Sequence, residues 1–449
     1  MMMRFALALF VFAVLLSLTA SFVTITNPSK LKNSVNDGYG KKLSLSPSDI
    51  VSDIANLPGI IVYPTVFAVC FRIGAAIAVI GNPRLPNAGA GSRSNGHIVG
   101  SKVVRLPELG SRVRLFYPIS KTDTNITTLS SNGNDNSNVK YCTDGRATSD
   151  GMASLVGFKQ LGLSFLLAHL AEAPSGCYDL EETDTMMMKE SVIDVCEPDA
   201  PLLVYSHGYG GNMDMATYFL RSMAQRGIVV AALEHTDGTA SSTVQPDGSR
   251  LDFDSSLCSL KDGLDKRAQE ISEAASFIPF LLPGDSSKKR IFLGGHSYGA
   301  PSVLLASQRQ RSWENSPKIA GLLLHDPALS MGRGLLNLPP KIPTISYVSD
   351  EYNRAGVACG DATYHVQGAF HGNFVDAPLW APLWVMRPLS LVIPACGPAD
   401  PDVVHSELAD SARAFCFGLL GRGESAQRES RSVSIFEEVG GQSLFERVG

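Results

Sequence analysis

Residues 290–300 read Arg-Ile-Phe-Leu-Gly-Gly-His-Ser-Tyr-Gly-Ala, and this stretch decides the fold. Its apolar beginning predicts a short buried strand, and the apolar run 303–306 predicts a helix directly after it. Gly295-His296-Ser297-Tyr298-Gly299 then lies in the strand–turn–helix setting of a nucleophile elbow, where a serine hydroxyl is exposed on a tight turn. The stretch therefore predicts Ser297 as a nucleophile, against the alternative of an ordinary glycine-rich turn.

Apolar strands alternate with helical segments on both sides of this motif. Continuous apolar strands are typical of a parallel sheet that helices cover on both faces. The alternating residues 113–117 suit an early antiparallel strand instead. We therefore predict the α/β-hydrolase fold, with a mostly parallel central sheet and helices on both faces. The predicted strands are 113–117, 202–205, 228–233, 319–324, 344–348 and 363–366, and the predicted helices are 155–170, 213–225, 265–280 and 402–420.

The 449 residues divide by composition into four segments. Residues 1–21 read as a signal peptide, because Arg4 precedes an apolar core and small residues that suit cleavage; an uncleaved anchor is the alternative. Residues 22–96 form an N-terminal extension, 97–420 the catalytic domain, and 421–449 a polar tail that we expect to be poorly ordered. We therefore expect a secreted protein, or one that is membrane-associated through the secretory pathway.

Two apolar segments raise the question of membrane contact. Residues 60–80 are long enough to cross a bilayer, but Pro64 and Arg72 interrupt them; a poor transmembrane helix, a membrane-surface segment and a helix on the domain all stay open. Residues 378–386 contain two tryptophans and suit either a lipid-docking segment or ordinary core packing. Eight cysteines fit disulfides or buried thiols equally well, and Asn125 lies in a glycosylation sequon.

A serine nucleophile needs a histidine to take its proton and a carboxylate to orient that histidine. Three histidines follow the later strands: His365 falls inside a predicted strand, and His405 opens the last helix. His371 is favoured because its loop comes just after a strand end, where α/β sheets place their chemistry. The carboxylate stays open between Asp326 and Asp350, since each follows a strand, although a fold-level default favours Asp350.

The negatively charged intermediate of such a reaction needs two hydrogen-bond donors. The amide of Tyr298 lies at the start of a helix, where unpaired N–H groups favour negative charge. His207-Gly-Tyr-Gly-Gly follows a buried strand and is similar to the glycine-rich oxyanion loop of lipases and esterases, so the amide of Tyr209 is the second candidate donor; a plain turn is the alternative. The nine histidines show no metal-ligand spacing. We therefore predict neither a metal nor a cofactor.

Four blocks of the sequence resemble one family, the platelet-activating factor acetylhydrolases or calcium-independent group VII phospholipases A2. The sequence Glu-His-Thr-Asp at 234–237 follows a Val-Ala-Ala strand and is not generic to α/β-hydrolases. In that family the catalytic aspartate follows the strand directly after the elbow, so the resemblance implies Asp326 rather than Asp350. The elbow departs from the family where Ala300-Pro301 follows it. The four blocks are 203–210, 227–237, 295–299 and 367–374.

The resemblance implies a serine esterase that removes short or oxidised sn-2 acyl groups from phospholipids through an acyl-enzyme. Ser297, Asp326 and His371 would be its catalytic residues, with the amides of Tyr209 and Tyr298 as the oxyanion hole. A general carboxylesterase for small soluble esters and a non-catalytic lipid-binding protein are the alternatives. The expected partners are a phospholipid or another ester, and a membrane or lipoprotein surface. A net charge of −5 without a dense basic patch argues against nucleic acid.

Overall fold

An eleven-stranded sheet runs through the centre of the described structure. The computed structural model describes residues 96–119, 138–160, 162, 164–178, 196–309, 318–383, 386–387, 390, 396–420 and 444–448. All of them lie in one compact unit, Pro83–Ser390 together with Pro394–Gly449. The strands are β1 (Ile98–Arg105), β2 (Arg112–Ile119), β3 (Asn138–Lys140), β4 (Pro174–Tyr178), β5 (Leu202–Ser206), β6 (Val229–Leu233), β7 (Ser242–Val244), β8 (Arg250–Asp252), β9 (Ile291–His296), β10 (Ile319–His325), β11 (Thr344–Val348), β12 (Ala362–Val366) and β13 (Phe445–Arg447).

The strand order across the sheet is β13-β12-β11-β10-β9-β5-β6-β2-β1-β4-β3, while β7 and β8 form a separate pair. The six neighbouring strands from β12 to β6 are all parallel. β2 is antiparallel to both β1 and β6, which confirms the antiparallel strand predicted at 113–117. The elbow strand β9 therefore lies in the middle of the parallel region, between β5 and β10.

Helices cover both faces of the sheet, as continuous apolar strands require. Alternate strand residues point to opposite faces, so Leu203 and Phe292 pack with α2 and α6 on one side, and Leu202 and Leu293 pack with α3 and α4 on the other. This mostly parallel, doubly covered sheet with a nucleophile-elbow strand at its centre confirms the α/β-hydrolase fold. The helices are α1 (Arg146–Leu155), α2 (Thr217–Gln225), α3 (Leu260–Phe277), α4 (Gly299–Arg309), α5 (Asp350–Arg354) and α6 (Pro401–Leu420).

The helix predicted over 155–170 is wrong. α1 ends at Leu155, where the predicted helix begins, and the described residues of 156–171 form two short 3₁₀ turns, Ser164–Leu166 and Ala168–Ala171. Gly157 and Gly162 have φ angles of 78° and 65°, which a right-handed helix does not contain. The apolar stripe in this segment serves irregular packing instead, since Leu167 and Leu170 are buried in a satellite cluster.

The expectation of a poorly ordered tail is wrong for residues 445–447. They form β13, which pairs antiparallel with β12, and Phe445 packs its ring against Tyr347 and Tyr364. The segments 1–21, 22–95, 60–80 and 421–443, like Asn125, lie outside the described residues, so those predictions stay predictions. No described helix combines the length and apolar character that a membrane span requires.

Cysteine pairing is also constrained by the described part of the chain. Six of the described cysteines form no disulfide with one another, and five of these six are buried. The alternative of buried thiols is therefore correct for the five, and disulfides among the six are absent. The six are Cys142, Cys177, Cys196, Cys258, Cys359 and Cys416.

Candidate active site

Ser297 lies on the sharp turn between β9 and α4, as the elbow pattern predicts. Its φ of 55° is unusual for a residue with a side chain, and its N–H donates to the carbonyl of His325 at 2.9 Å. The flanking glycines are required by close backbone approach. A Cβ on Gly295 would lie 2.5 Å from the carbonyl carbon of Gly299, and a Cβ on Gly299 would overlap the carbonyl oxygen of Ser206.

His371 and Asp326 form a hydrogen-bonded pair. His371 Nδ1 lies 2.8 Å from Asp326 Oδ2, so a His371 with its proton on Nδ1 donates to the carboxylate. Asp326 comes directly after β10, is fully buried and has a φ of 45°. Its second oxygen accepts from the N–H of Ser349 at 2.6 Å. The carboxylate is thus fixed on both oxygens, and His371 keeps Nε2 available for another proton.

Tyr352 is a residue of this site that sequence reasoning missed. Its ring stacks on His371 with centroids 5.2 Å apart and planes 6° from parallel, and its phenol lies near the side chain of Ser297. Burial, followed by the charge of Asp326, raises the pKa of Tyr352 to about 12, so the phenol keeps its proton at neutral pH. The backbone of Tyr352 is held by Ser349 Oγ, which caps α5. A tyrosine in a Ser-x-x-Tyr cap after a strand could have indicated this placement.

The rejected alternatives lie elsewhere. Asp350 accepts from Gly368 N–H and contacts His365 Nε2 at 2.8 Å. The carboxylate that the fold alone favours therefore pairs with a different histidine. His405 is fully buried in α6 with its ring 5.2 Å from that of Tyr218. The structure therefore pairs His371 with Asp326 and holds the N–H of Ser297 on the carbonyl of His325, the residue before Asp326. A direct contact between Ser297 and His371 stays a prediction.

The predicted oxyanion loop lies against the elbow. A Cβ on Gly208 would lie 3.0 Å from Cβ of Ser297, so a larger residue there would press against the elbow. The ring of Tyr209 is partly exposed and makes edge contacts with Phe253 at 5.3 Å and Tyr298 at 5.7 Å. Gly210 N–H donates to the carbonyl of Thr239 at 2.7 Å. The roles of the Tyr209 and Tyr298 amides stay predictions.

The side chains at 234–237 build a buried polar layer behind this loop. Glu234 binds Arg112 at 2.5 Å. His235 bridges Ser206 and Glu270 at 2.7 and 2.6 Å, and Asp237 binds Arg267 at 2.8 Å. Burial alone would raise the pKa of Asp237, but the charge of Arg267 holds it below its usual range. The sequence of this block does not reveal these contacts, because the partners are 29 to 122 residues away. Four hydrogen bonds connect this polar layer to α3 and to the start of β2. They are Ser111–Glu270, Thr236–Glu270, Thr239–Arg267 and Arg112–Glu234.

The segment after His371 continues into a buried cluster. Trp380 is buried and donates from Nε1 to the phenol of Tyr141 at 3.1 Å, and Tyr141 in turn donates to Asp376 at 3.0 Å. Core packing, not lipid docking, is therefore the correct interpretation for Trp380. Burial raises the pKa of Asp376 to about 8. Among the described residues, no cluster of His, Cys, Asp and Glu is arranged to hold a metal ion.

Comparison with known proteins supports the resemblance. Residues 177–284 match the family model described as "Platelet-activating factor acetylhydrolase, isoform II". The platelet-activating factor acetylhydrolase of Canis lupus familiaris is 31% identical over 145 residues, which are 25% of this chain and 33% of that protein. The one from Bos taurus is 29% identical over 137 residues, 23% of this chain and 31% of that protein. The chain thus spans about a third of the length of these relatives.

Solved esterase structures match much of the chain at low sequence identity. A ferulic acid esterase from Streptomyces cinnamoneus is 17% identical with a TM-score of 0.47, covering 76% of this chain and 96% of its own. The esterase Est22 is 15% identical with a TM-score of 0.36, covering 87% of this chain and 97% of its own. The family match confirms the resemblance to platelet-activating factor acetylhydrolases over the segment with the oxyanion loop and the 234–237 block. Ser297, Asp326 and His371 lie beyond residues 177–284, so their catalytic roles stay predictions.

Proposed function

We propose that the chain is a serine esterase that hydrolyses carboxylic esters through an acyl-enzyme, and that its substrates are phospholipids with short or oxidised sn-2 acyl groups. The observation that carries the esterase part is the hydrogen-bonded pair of His371 and buried Asp326 beside a serine on a strained elbow. The phospholipid part is supported by the match to platelet-activating factor acetylhydrolases.

The proposed chemistry proceeds in two halves that use the same groups. Nε2 of His371 takes the proton of Ser297, whose oxygen attacks the ester carbonyl and forms a tetrahedral oxyanion. The amides of Tyr209 and Tyr298 donate hydrogen bonds to that oxyanion, and the protonated His371 returns its proton to the leaving alcohol. Water, deprotonated by His371, then releases the acid from Ser297. Asp326 holds the histidine in the required tautomer and stabilises its charged form throughout.

Three substrates offered to the purified full chain test both parts of the proposal. They are a phospholipid with an sn-2 acetyl group, its long-chain equivalent, and a soluble nitrophenyl acetate. We expect turnover of the acetyl phospholipid and the nitrophenyl ester, and little of the long-chain lipid. Turnover of the soluble ester alone would refute the phospholipid part and leave a general carboxylesterase. No turnover of any substrate, with no labelling of Ser297 by a fluorophosphonate, would refute the esterase as a whole.

We also propose export through the secretory pathway, which the apolar segment at 1–21 supports. N-terminal sequencing of the protein from its native cells tests this, because cleavage near Ala20 is expected. An intact Met1 on material that alkaline carbonate leaves in the membrane would show an uncleaved anchor instead.

A further inference from the structure

Arg267 is a fully buried cation on α3 that contacts Tyr298 and His207, which stands two residues before Tyr209. Its Nε donates to Asp237 at 2.8 Å, and one terminal nitrogen donates to the carbonyl of His207 at 2.6 Å. The other terminal nitrogen donates to Thr239 Oγ1. The guanidinium also lies over the ring of Tyr298, 4.7 Å from its centroid. A planar five-donor fork can satisfy such a set, whereas the point charge of a lysine cannot.

These contacts fix the oxyanion loop on both sides of Tyr209. On one side, Arg267 holds the carbonyl of His207. On the other side, the N–H of Gly210 donates to the carbonyl of Thr239, and the side chain of Thr239 is held by Asp237 and Arg267. The amide of Tyr209 lies between these two anchored points. Its position relative to the elbow therefore depends on the Asp237–Arg267 pair.

The second donor residue is held from the same helix. The phenol of Tyr298 donates to the carbonyl of Leu260 at 2.8 Å, and Leu260 is the first residue of α3 while Arg267 lies two turns further on. The contact of Arg267 with the Tyr298 ring adds a cation–π attraction. One helix thus sets the position of both the loop before α2 and the turn before α4.

Stability alone does not account for this arrangement. A buried ion pair is weak evidence for stability, because desolvation of both charges offsets their attraction and apolar replacements of similar volume are often neutral or stabilising. Asp237 and Arg267 have exposed fractions of 1% and 0%, so both have lost their hydration. What the pair adds, beyond what apolar packing would supply, is a set of directed hydrogen bonds to the oxyanion loop.

We propose that Arg267, oriented by Asp237, is a positioning residue that sets the spacing of the Tyr209 and Tyr298 amides around the oxyanion. The proposal rests on the proposed esterase function. It gives two residues of the Glu-His-Thr-Asp block a positioning role. Asp237 orients the arginine, and His235 with Glu270 supports Ser206 at the end of β5.

The test compares an ester with its thiono analogue, in which sulfur replaces the carbonyl oxygen. Sulfur is a weak hydrogen-bond acceptor, so the ratio of the two rates reports the oxyanion hole and does not depend on the fraction of active enzyme. Phenyl acetate and phenyl thionoacetate are offered to the full chain and to Arg267→Lys, Arg267→Met and Asp237→Asn. Glu234→Gln is the matched control, since Glu234 belongs to the same block and to a buried ion pair but binds Arg112 instead.

For the Arg267 variants we expect kcat on phenyl acetate to fall about 100-fold with an unchanged KM, because a misplacement of about 1 Å has that effect. Asp237→Asn should lose about 10-fold, a part of what the removal of one oxyanion donor costs. The thiono ester should lose far less in each case, so the rate ratio falls. Glu234→Gln should keep the ratio of the unmodified chain.

Three results would overturn the proposal. In the first, both esters slow equally in the Arg267 and Asp237 variants, so that the ratio stays constant. In the second, Glu234→Gln lowers the ratio as much as they do. In the third, neither Asp237→Asn, which preserves volume, nor any Arg267 variant folds by circular dichroism, and the pair is then a folding determinant only. An unmodified chain that hydrolyses neither ester refutes the proposed function itself, which is a different outcome from all three.

Discussion

The described residues contain two aspartate–histidine pairs that have the same separation but use different ring nitrogens and have different surroundings. Asp326 and Asp350 follow the neighbouring strands β10 and β11, and each contacts a histidine nitrogen at 2.8 Å. In the first pair the carboxylate side chain is 0% exposed and the histidine 30% exposed. In the second pair the carboxylate is 29% exposed and His365 only 14%. A buried acid and an accessible base suit proton transfer to a substrate, whereas the reverse arrangement suits a surface hydrogen bond.

The two pairs also differ in the groups that surround each histidine. His371 stacks on Tyr352 and lies beside His296, at a centroid distance of 4.5 Å, and Tyr352 reaches Ser297. The other nitrogen of His365 faces Glu446 of β13 at 3.6 Å, at the edge of the sheet. Distance between acid and base therefore does not identify a catalytic pair. The position of the pair relative to the nucleophile elbow identifies it.

The largest expected effect comes from removing the negative charge of the first pair, and the same change in the second pair is the control. Asp326→Asn should lower kcat about 10⁴-fold, because an amide in that place favours the wrong histidine tautomer, while the volume of the side chain is preserved. Asp350→Asn is the matched control and should retain activity within about twofold, since surface hydrogen bonds contribute little. Steady-state hydrolysis of nitrophenyl acetate measures both. The reverse result would mean that the fold-level default had chosen the correct carboxylate.

The third histidine that the sequence offers, His405, has no carboxylate partner among the described residues and should affect stability instead. Burial lowers the pKa of His405 to about 4, below its unfolded value near 6.5. The unfolded chain therefore binds the extra proton first, and stability is lost as pH falls from about 6.5 to about 4. Over that window the loss is about 3 kcal/mol.

Urea unfolding of the full chain and of His405→Leu at pH 7.5 and pH 4.5 measures this effect. The variant should show the smaller decrease in free energy of unfolding between the two pH values. His365→Leu is the control, because His365 is paired and partly exposed. Equal pH dependence in the unmodified chain and in His405→Leu would show that His405 is not the group that loosens the fold in acid.

Sequence reasoning reached the parts of this site that are local in the chain. Ser297 and His371 stand in short motifs whose neighbours indicate a turn after a strand. Asp326 could not be separated from Asp350 by pattern, because both follow strand ends, and only the family resemblance distinguished them. Arg267 reads as an ordinary charge on an amphipathic helix, since a periodicity does not reveal that a charged residue is fully buried against a loop 60 residues earlier.

The fold shows the same division. The central strands were predictable because continuous apolar runs have few alternatives, and β13 was not, because its three residues follow a long polar stretch. The helix predicted at 155–170 is wrong because Gly157 and Gly162, both with positive φ, interrupt its apolar stripe. Local pattern reports which residues are buried. It does not report the backbone conformation that buries them.

The smallest expected effect sharpens the comparison at Tyr352, which contacts His371 and has no counterpart beside His365 among the described ring contacts. Tyr352→Phe keeps the stacked ring and removes the hydroxyl that lies near Ser297, so kcat/KM should fall by at most about fivefold, the value of roughly 1 kcal/mol for one hydrogen bond. Tyr352→Leu also removes the stack, worth about 1 kcal/mol more, and should fall about 30-fold. Tyr347→Phe is the control: it removes a buried hydroxyl that bonds Ser411 and should leave kcat/KM unchanged. If the Phe and Leu variants are equally active, stacking does not orient His371, and the accessible base of the first pair is held by Asp326 alone.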